Sequence, residues 1–290
     1  MKNHIMYLAY GIKGIRCEAL YSILSYLKHN TEDLAQITIY TDDVAFFKSF
    51  LKNLPINYET LSQKQITSWR GNINYVHRLK LESIINFASK NNGNFLFLDS
   101  DTVIKSNLSS IFNSIEKGEL ILQFDEGKVK DNNPKTYKFI KRNNFVLTDA
   151  NIPVKQDFVM YNSGAVGFNN SKIDLLKKAL RLTDNIYLDF KHFLTEQFSI
   201  SYYFQENNLP ITIEGKIYHY WYFKEFRPIL ISFFEKYKTI SIGKLIDKID
   251  LINPEILSVP ILEYKAMNFW QKAIQKIKLG KKWQLPDYDL

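Results

Sequence analysis

Cysteine is almost absent from this chain. Cys17 is the only one in 290 residues, so no intrachain disulfide is possible. A reducing compartment fits that composition. Cys17 falls in a helical pattern with Leu20, Ile23 and Leu24, and reads as a small buried residue rather than a reactive thiol. Proline and glycine are scarce, at 8 and 11 residues, which excludes collagen-like segments and low-complexity linkers. No repeat recurs at solenoid spacing. No apolar run approaches the roughly 18 residues a membrane span needs. The early stretch Ile5 to Tyr10 is too short for a secretory signal core, and no small-residue cleavage site follows it. The expected location is cytoplasmic, either free or peripheral on the inner face of a membrane.

Acids are absent from one segment. Between Tyr264 and Trp283 stand Lys265, Lys272, Lys276, Lys278, Lys281 and Lys282, with no Asp or Glu. This segment carries six of the net +8 charges, so the basic character belongs to a tail and not to the whole protein. A charge so localised does not line a groove, and no nucleic-acid motif accompanies it, which argues against a nucleic-acid partner.

Hydrophobic residues make up 46% of the chain, a globular composition. The first half alternates strand and helix. Strand patterns cover 5–10, 37–41, 56–61, 95–98 and 119–124. Helical patterns cover 17–28, 46–51, 76–90 and 108–115. Such alternation implies an α/β fold with a mainly parallel sheet flanked by helices. Residues 125–153 are polar and lysine-rich, a functional flap or an unassigned helix. A strand over 158–168, interrupted by Asn162-Ser163-Gly164, precedes helices over 173–188 and 190–205 and short strands at 211–213 and 216–221. From Lys224 onward the pattern is helical, broken at Pro254 and Pro260. The expected division is an α/β domain over 1–225 and a helical extension over 226–290.

The most informative stretch is Phe95-Leu96-Phe97-Leu98-Asp99-Ser100-Asp101. Four apolar residues read as a buried central strand, and two carboxylates follow where it leaves the core. In open α/β sheets that carboxyl edge is where ligands sit. Aspartates at i and i+2 can share a hard cation such as Mg²⁺ or Mn²⁺, which keeps sites for a diphosphate. The second constellation is Met160-Tyr161-Asn162-Ser163-Gly164-Ala165-Val166. There Asn162 and Ser163 offer short polar groups, and Gly164 permits a bulge or a close ligand approach.

Two enzymatic chemistries share the first motif. In nucleotide-sugar glycosyltransferases of GT-A type, the aspartates bind a cation that bridges the donor diphosphate. In haloacid-dehalogenase-type phosphatases, the first aspartate is a nucleophile and the second an acid/base, and Asp99-Ser100-Asp101-Thr102-Val103 also fits that string. The phosphatase motif belongs on a first strand and needs a later acidic metal motif, whereas here at least two strand–helix units come first and only scattered acids follow.

Taken together, Asp99-Ser100-Asp101, Tyr161-Asn162-Ser163-Gly164, Thr195-Glu196-Gln197-Phe198 and His219 resemble the GT-A glycosyltransferases, nearest the glycogenin-like and lipooligosaccharide-galactosyltransferase families. The resemblance spans about residues 5–225. It implies metal binding by Asp99, Asp101 and His219, and catalytic roles for Glu196, Gln197 and Asn162. It implies donor binding by Tyr10, Gly11, Asp43, Lys80, Ser100, Ser163, Gly164 and Lys224. The implied partners are a nucleotide-sugar donor, UDP-linked in the nearest families, and a saccharide or lipid-linked acceptor. Retention at the anomeric carbon is implied, although Glu196 facing the acceptor would serve as the base of an inverting site.

The chain departs from those families at one place. Their histidine is followed by Gly at +3 and Lys at +6, whereas Tyr222 and Lys224 stand here at +3 and +5. A packed structural role is the other reading for His219. Helix N-capping is the other reading for Asp42 and Asp43. Arg78, on the helix before the metal strand, is either a donor-phosphate contact or part of a solvated face.

In the tail, Phe269, Trp270, Ala273, Ile274 and Ile277 fall within an arc of roughly 140° on a helical wheel. Lysines border that arc and Trp283 follows it. This is either a helix lying in an anionic membrane interface through residues 264–283, or a helix packed on the body of the protein.

Overall fold

The structure, a computed structural model, describes all residues except 33, 144–145, 148–151, 154–157 and 289–290, and nothing is said of side chains at 143, 146, 147, 152 and 153. Parts of the polar stretch at 125–153 therefore lie outside the described residues. In chain order the first half comprises β1 (Asn3–Leu8), α1 (Lys13–His29), β2 (Gln36–Thr41), α2 (Val44–Phe50), β3 (Asn57–Thr60), α3 (Gln63–Trp69), α4 (Arg78–Lys90), β4 (Asn94–Leu98), β5 (Thr102–Ile104) and α5 (Ser109–Glu116). Then come β6 (Ile121–Lys128), α6 (Val129–Asn132), α7 (Pro134–Asn143), β7 (Val146–Leu147), β8 (Ile152–Pro153), β9 (Val159–Asn169), α8 (Ile173–Asp189), α9 (Thr195–Asn207), β10 (Ile211–Thr212) and β11 (Ile217–His219). The chain finishes with α10 (Phe226–Lys236), α11 (Ile242–Lys248), α12 (Pro254–Leu257), α13 (Val259–Ala266) and α14 (Phe269–Leu279).

Seven strands form one sheet in the order β10-β6-β9-β4-β1-β2-β3. All run parallel except β9, which is antiparallel to both β4 and β6. This is the mainly parallel, helix-flanked sheet expected for a GT-A type architecture. β4 is central, and all five of its residues are buried. Its alternation splits the core. Leu96 and Leu98 face a cluster built with α1, α5 and α10, while Phe95 and Phe97 face a second cluster built with α4 and α8. β9 runs as one strand from Val159 to Asn169, but its register against β6 shifts at the expected irregularity. Between Leu122↔Val166 and Phe124↔Asn162 it advances four residues against two, so the extra residues fall among Ser163-Gly164-Ala165. A second shift, between Asp125 and Lys128, puts its extra residue in β6.

Three local expectations are corrected. The helix leading to β4 starts at Arg78 rather than Val76, and α9 starts at Thr195 rather than at Phe190. A short strand, β5, follows Asp101 directly and pairs antiparallel with β11. The helices after residue 225 share a core with the sheet layer as far as Ile261, since Phe226, Leu230, Phe233, Leu245 and Ile261 lie in one cluster with α1. Cys17 is fully buried, and burial pushes its thiol up to about 12, as suits an inert packing residue.

Candidate active site

The ends of β1, β4 and β9 and the start of α9 open on a cavity of about 1160 Å³. This volume is large enough for a small-molecule ligand of nucleotide size. Asp99, Ser100, Asp101, Asn162, Ser163, Glu196, Gln197, His219, Lys80, Lys224, Tyr10 and Gly11 all line it. The expected site residues thus meet in one place, with two exceptions. Asp43 caps α2, accepting from Phe46 N at 3.0 Å, and is absent from the cavity wall. Gly164 lies beneath the wall, against the ring of His219.

Backbone pairing delivers the metal-binding candidates. Asp99 N donates to Gly164 O at 2.8 Å, which extends the β4–β9 ladder one residue beyond Leu98 and fixes the first carboxylate. β5 begins at once, and its register sets Thr102 against His219. Tyr220 N then donates to Asp101 O at 3.0 Å. His219 is therefore held beside Asp101 from two sides. Its Nε2 lies 3.1 Å from Asp101 Oδ1 and 3.9 Å from Asp99 Oδ2. One ligand atom from each of the three residues lies within 4.8 Å of the others.

The hydrogen-bond network fixes which face of the imidazole meets the carboxylates. Asn162 Nδ2 donates to Glu126 Oε1 at 2.9 Å, which orients the amide. Asn162 Oδ1 then accepts from Gly164 N at 2.9 Å and faces His219 Nδ1 at 2.9 Å. A carbonyl oxygen can only accept, so His219 Nδ1 carries the proton. Nε2 is then the ring atom turned toward the two carboxylates, the side from which an imidazole can ligate a cation. Two carboxylate oxygens and one imidazole nitrogen suit a divalent cation. Gly164 is required for this geometry, because a Cβ built there would overlap the His219 ring, Nδ1 first. The expected close approach at Gly164 thus comes from a protein side chain.

Charges around the carboxylates are paired. Burial raises the Asp101 carboxyl, but His219 and Lys224 outweigh it and hold the group below the usual carboxylate range. Lys224 Nζ donates to Asp101 Oδ2 at 2.8 Å. Lys80 is buried on α4 and reaches Asp99 Oδ2 at 3.2 Å, Ser163 Oγ at 3.0 Å and the Ser163 carbonyl. Its Nζ also lies 3.5 Å from Glu196 Oε1. Burial lowers the Lys80 ammonium, but Asp99 and Glu196 hold it above the ordinary lysine value. Burial, opposed by Lys80 and aided by Asp99, pushes the Glu196 carboxyl up to about 7. A buried acid tuned near neutrality at a cavity wall is poised for proton transfer. Gln197 Nε2 donates to Glu126 Oε2 at 2.9 Å, so one carboxylate orients both Asn162 and Gln197.

At the other end, Gly11 adopts φ +87° and donates its N–H to Asp42 Oδ2 at 3.0 Å, while Arg16 bonds both Gly11 O and Asp42. This clamp shapes the loop after β1, where half-buried Tyr10 lines the cavity. Arg78 takes neither expected role, since it is tied to Asp184 and Glu82.

Several wall residues escaped sequence reading: Glu126, His77, Phe193, Trp221 and Arg227. Glu126 sits in the polar second half of β6, beyond the end of the apolar pattern, where composition offers no signal. Phe193 lies in the turn before α9, inside what periodicity assigns to helix. The phosphatase alternative finds no support: among the described residues, the one cluster of three metal-ligating groups is Asp99, Asp101 and His219, with no further acid joining it.

No family model and no curated protein matches the chain. Among solved structures it is similar to the glycosyltransferase GlyE of Streptococcus pneumoniae TIGR4, at 12% identity and a TM-score of 0.49, over 86% of this chain and 63% of that one. The chain therefore spans less than two thirds of the pneumococcal structure. It is also similar to mouse xyloside xylosyltransferase 1, at 11% identity and TM-score 0.47, over 73% of this chain and 85% of that one. The galactosyltransferase LgtC, solved with donor and acceptor sugar analogs, gives 11% identity and TM-score 0.47 over 69% and 70%. All three are glycosyltransferases, the class that the sequence motifs of this chain resemble.

Proposed function

We propose that this chain is a metal-dependent glycosyltransferase that moves a hexose from a nucleoside-diphosphate sugar to a saccharide or lipid-linked acceptor. The observation that carries this reading is the convergence of Asp99, Asp101 and His219 Nε2 at the carboxyl edge of the sheet, inside the main cavity. A bound Mn²⁺ or Mg²⁺ would act as a Lewis acid on the departing diphosphate. The protein's own groups do the rest. Asn162 fixes the imidazole tautomer, and Lys80 holds Asp99 and Ser163 in place. Tyr10 and Gly11 border the base end of the donor, and Glu196 with Gln197 faces the reacting sugar. Thermal shift with UDP-, GDP- and dTDP-sugars, with and without Mn²⁺, tests it. One donor should raise the melting temperature only with its metal. Sugar transfer that persists in chelator, or stabilisation by no nucleotide sugar, would remove the reading.

The acceptor side of the proposal rests on α14. Its Phe269, Trp270, Ile274 and Ile277 are 75%, 74%, 64% and 85% exposed, bordered by exposed Lys276 and Lys278. An unpacked apolar face with basic borders suits an anionic lipid surface, each nearby lysine adding on the order of 1 kcal/mol. Trp283 does not extend this face, because it packs against the core cluster and meets Tyr264 edge-on at 5.5 Å. The tail is thus anchored on both sides of α14. No helix among the described residues is long and apolar enough to cross a membrane. Docking on the surface would bring the cavity to a lipid-linked acceptor. Co-sedimentation with anionic against neutral vesicles tests this: equal binding to both, or binding to neither at low salt, would overturn it.

A further inference from the structure

A second buried carboxylate stands behind the site. Glu18 lies in the middle of α1 between Cys17 and Ala19, and all three are fully buried. Its Oε1 accepts from Arg227 Nε at 2.9 Å, while Oε2 meets no hydrogen-bond partner. As a fastening between α1 and α10 this is a poor choice. A buried ion pair rarely stabilises more than an apolar pair of the same size, and a half-satisfied one does worse. Burial also pushes the Glu18 carboxyl up to about 7. The pair therefore calls for a role other than stability.

Its other member supplies one. Arg227 lines the cavity together with Lys224 and Asp101. With Nε taken by Glu18, its two terminal nitrogens meet no protein acceptor among the described residues. Lys224 stands one turn earlier, as Arg227 N donates to Lys224 O at 3.2 Å. The lysine is engaged by Asp101, whereas the arginine's guanidinium is engaged through Nε alone. The stem of Arg227 lies in a slot. One turn before Glu18 on the same helix is Gly14, and a Cβ there would come within 3.0 Å of Arg227 Cβ and Cδ. A glycine, a buried carboxylate and a cavity-lining arginine thus form one device.

We propose that Arg227 binds the diphosphate of the donor, and that Glu18 and Gly14 are positioning residues that aim its guanidinium into the cavity. The inference rests on the transferase reading and names the group that recognises the donor's anionic bridge. A guanidinium held at Nε offers its two remaining nitrogens to a phosphate as a fork, a geometry that an ammonium lacks. The ligand class is a nucleoside diphosphate, with the β-phosphate supplying the discrimination against a monophosphate.

The test uses the full chain with Mn²⁺ and isothermal titration of UDP, GDP and dTDP, each against its own monophosphate. Arg227→Gln should weaken the best diphosphate about tenfold or more and its monophosphate by less than about threefold. Arg227→Lys should recover only part of the loss. Glu18→Gln should weaken the diphosphate by about fivefold, and the double variant should be no weaker than Arg227→Gln alone. Where Glu18→Gln fails to fold, Gly14→Ala replaces it, because it crowds the arginine while favouring the helix. Diphosphate binding by Arg227→Gln within about twofold of wild type, with Asp101→Ala still abolishing it, overturns this inference and spares the transferase. Additive losses in the double variant overturn the positioning role. Wild-type protein that binds no nucleoside diphosphate removes both readings.

Discussion

The cavity floor and α14 invert the ordinary rule of burial in opposite directions. On the floor, Lys80, Asp101, Asn162, Ser163, Glu196 and Gln197 are buried polar groups. On α14, Phe269, Trp270, Ile274 and Ile277 are exposed apolar ones. Buried polar groups and exposed apolar patches are both costly and therefore informative. The costs are met differently. The floor is paired internally except at Glu196 Oε1: lysine on carboxylate, amide on carboxylate, imidazole on amide. α14 has a capping box at Asn268 and Gln271 and a left-handed Gly280 at its end, so the helix is well formed, yet none of the described residues covers its apolar side. A polar floor held by such internal pairs is pre-organised for chemistry. An uncovered apolar face is the feature on which the membrane proposal rests.

The comparison breaks first at Asp99 and Asp101, the carboxylates proposed to hold the metal. Asp99→Ala and Asp101→Ala should each lower transfer by about 10³-fold or more with the fold retained, because each removes an oxygen ligand that the diphosphate chemistry needs. Near-wild-type transfer by either variant, measured alongside a cooperative melt, contradicts the site.

Gly164→Ala tests the pre-organisation of the floor. The added methyl must displace the His219 ring, and a shift of about 1 Å at a catalytic group costs on the order of 10²-fold. Mn²⁺ affinity should fall in parallel. Unchanged affinity would mean that His219 is a packing residue.

A smaller effect belongs to pH. With Glu196 titrating at about 7 and acting as a base, transfer should fall about tenfold per pH unit below that point and flatten in Glu196→Gln. Stability moves the other way. The folded carboxyl keeps its proton up to about 7, whereas the unfolded one releases it near 4.5. The folded state therefore binds more protons across that window, and the Glu196 contribution to stability declines as pH rises from about 4.5 to about 7. A melting temperature whose pH slope is the same in Glu196→Gln would contradict the burial of this acid.

The least effect on the folded chain is expected at α14. Replacing Phe269, Trp270, Ile274 and Ile277 by serine touches no core contact and should leave stability within about 0.5 kcal/mol per site. Binding to anionic vesicles should nevertheless disappear. A large drop in melting temperature would show instead that this face packs on the protein.

How much of this was legible in the sequence depends on the range of the interaction. A continuous apolar strand, a 3.6-residue period, an Asp-x-Asp at a strand end and an Asn-Ser-Gly string are local patterns. They sufficed for the alternating α/β order, the central place of β4, the carboxylates and the amphipathic tail. β5 was missed because three residues carry too little periodicity to compete with loop chemistry, and α7 was left as an unassigned helix because its lysine-rich composition hides a clear helical period.

What the sequence determined by itself is the list of parts: the buried strand, its two aspartates and the apolar arc of α14. Tertiary structure decided which parts meet. His219 reaches Asp101 across 118 residues through the β5–β11 register, and Arg227 reaches Glu18 across 209. It also turned Asp43 to helix capping, tied Arg78 to Asp184, and brought Glu126 under Asn162 and Gln197. The physical reason is that hydrophobic periodicity records only whether a side chain faces the core. The partner of a buried polar group is set by ladder register and helix packing between distant segments, which no local window of sequence contains.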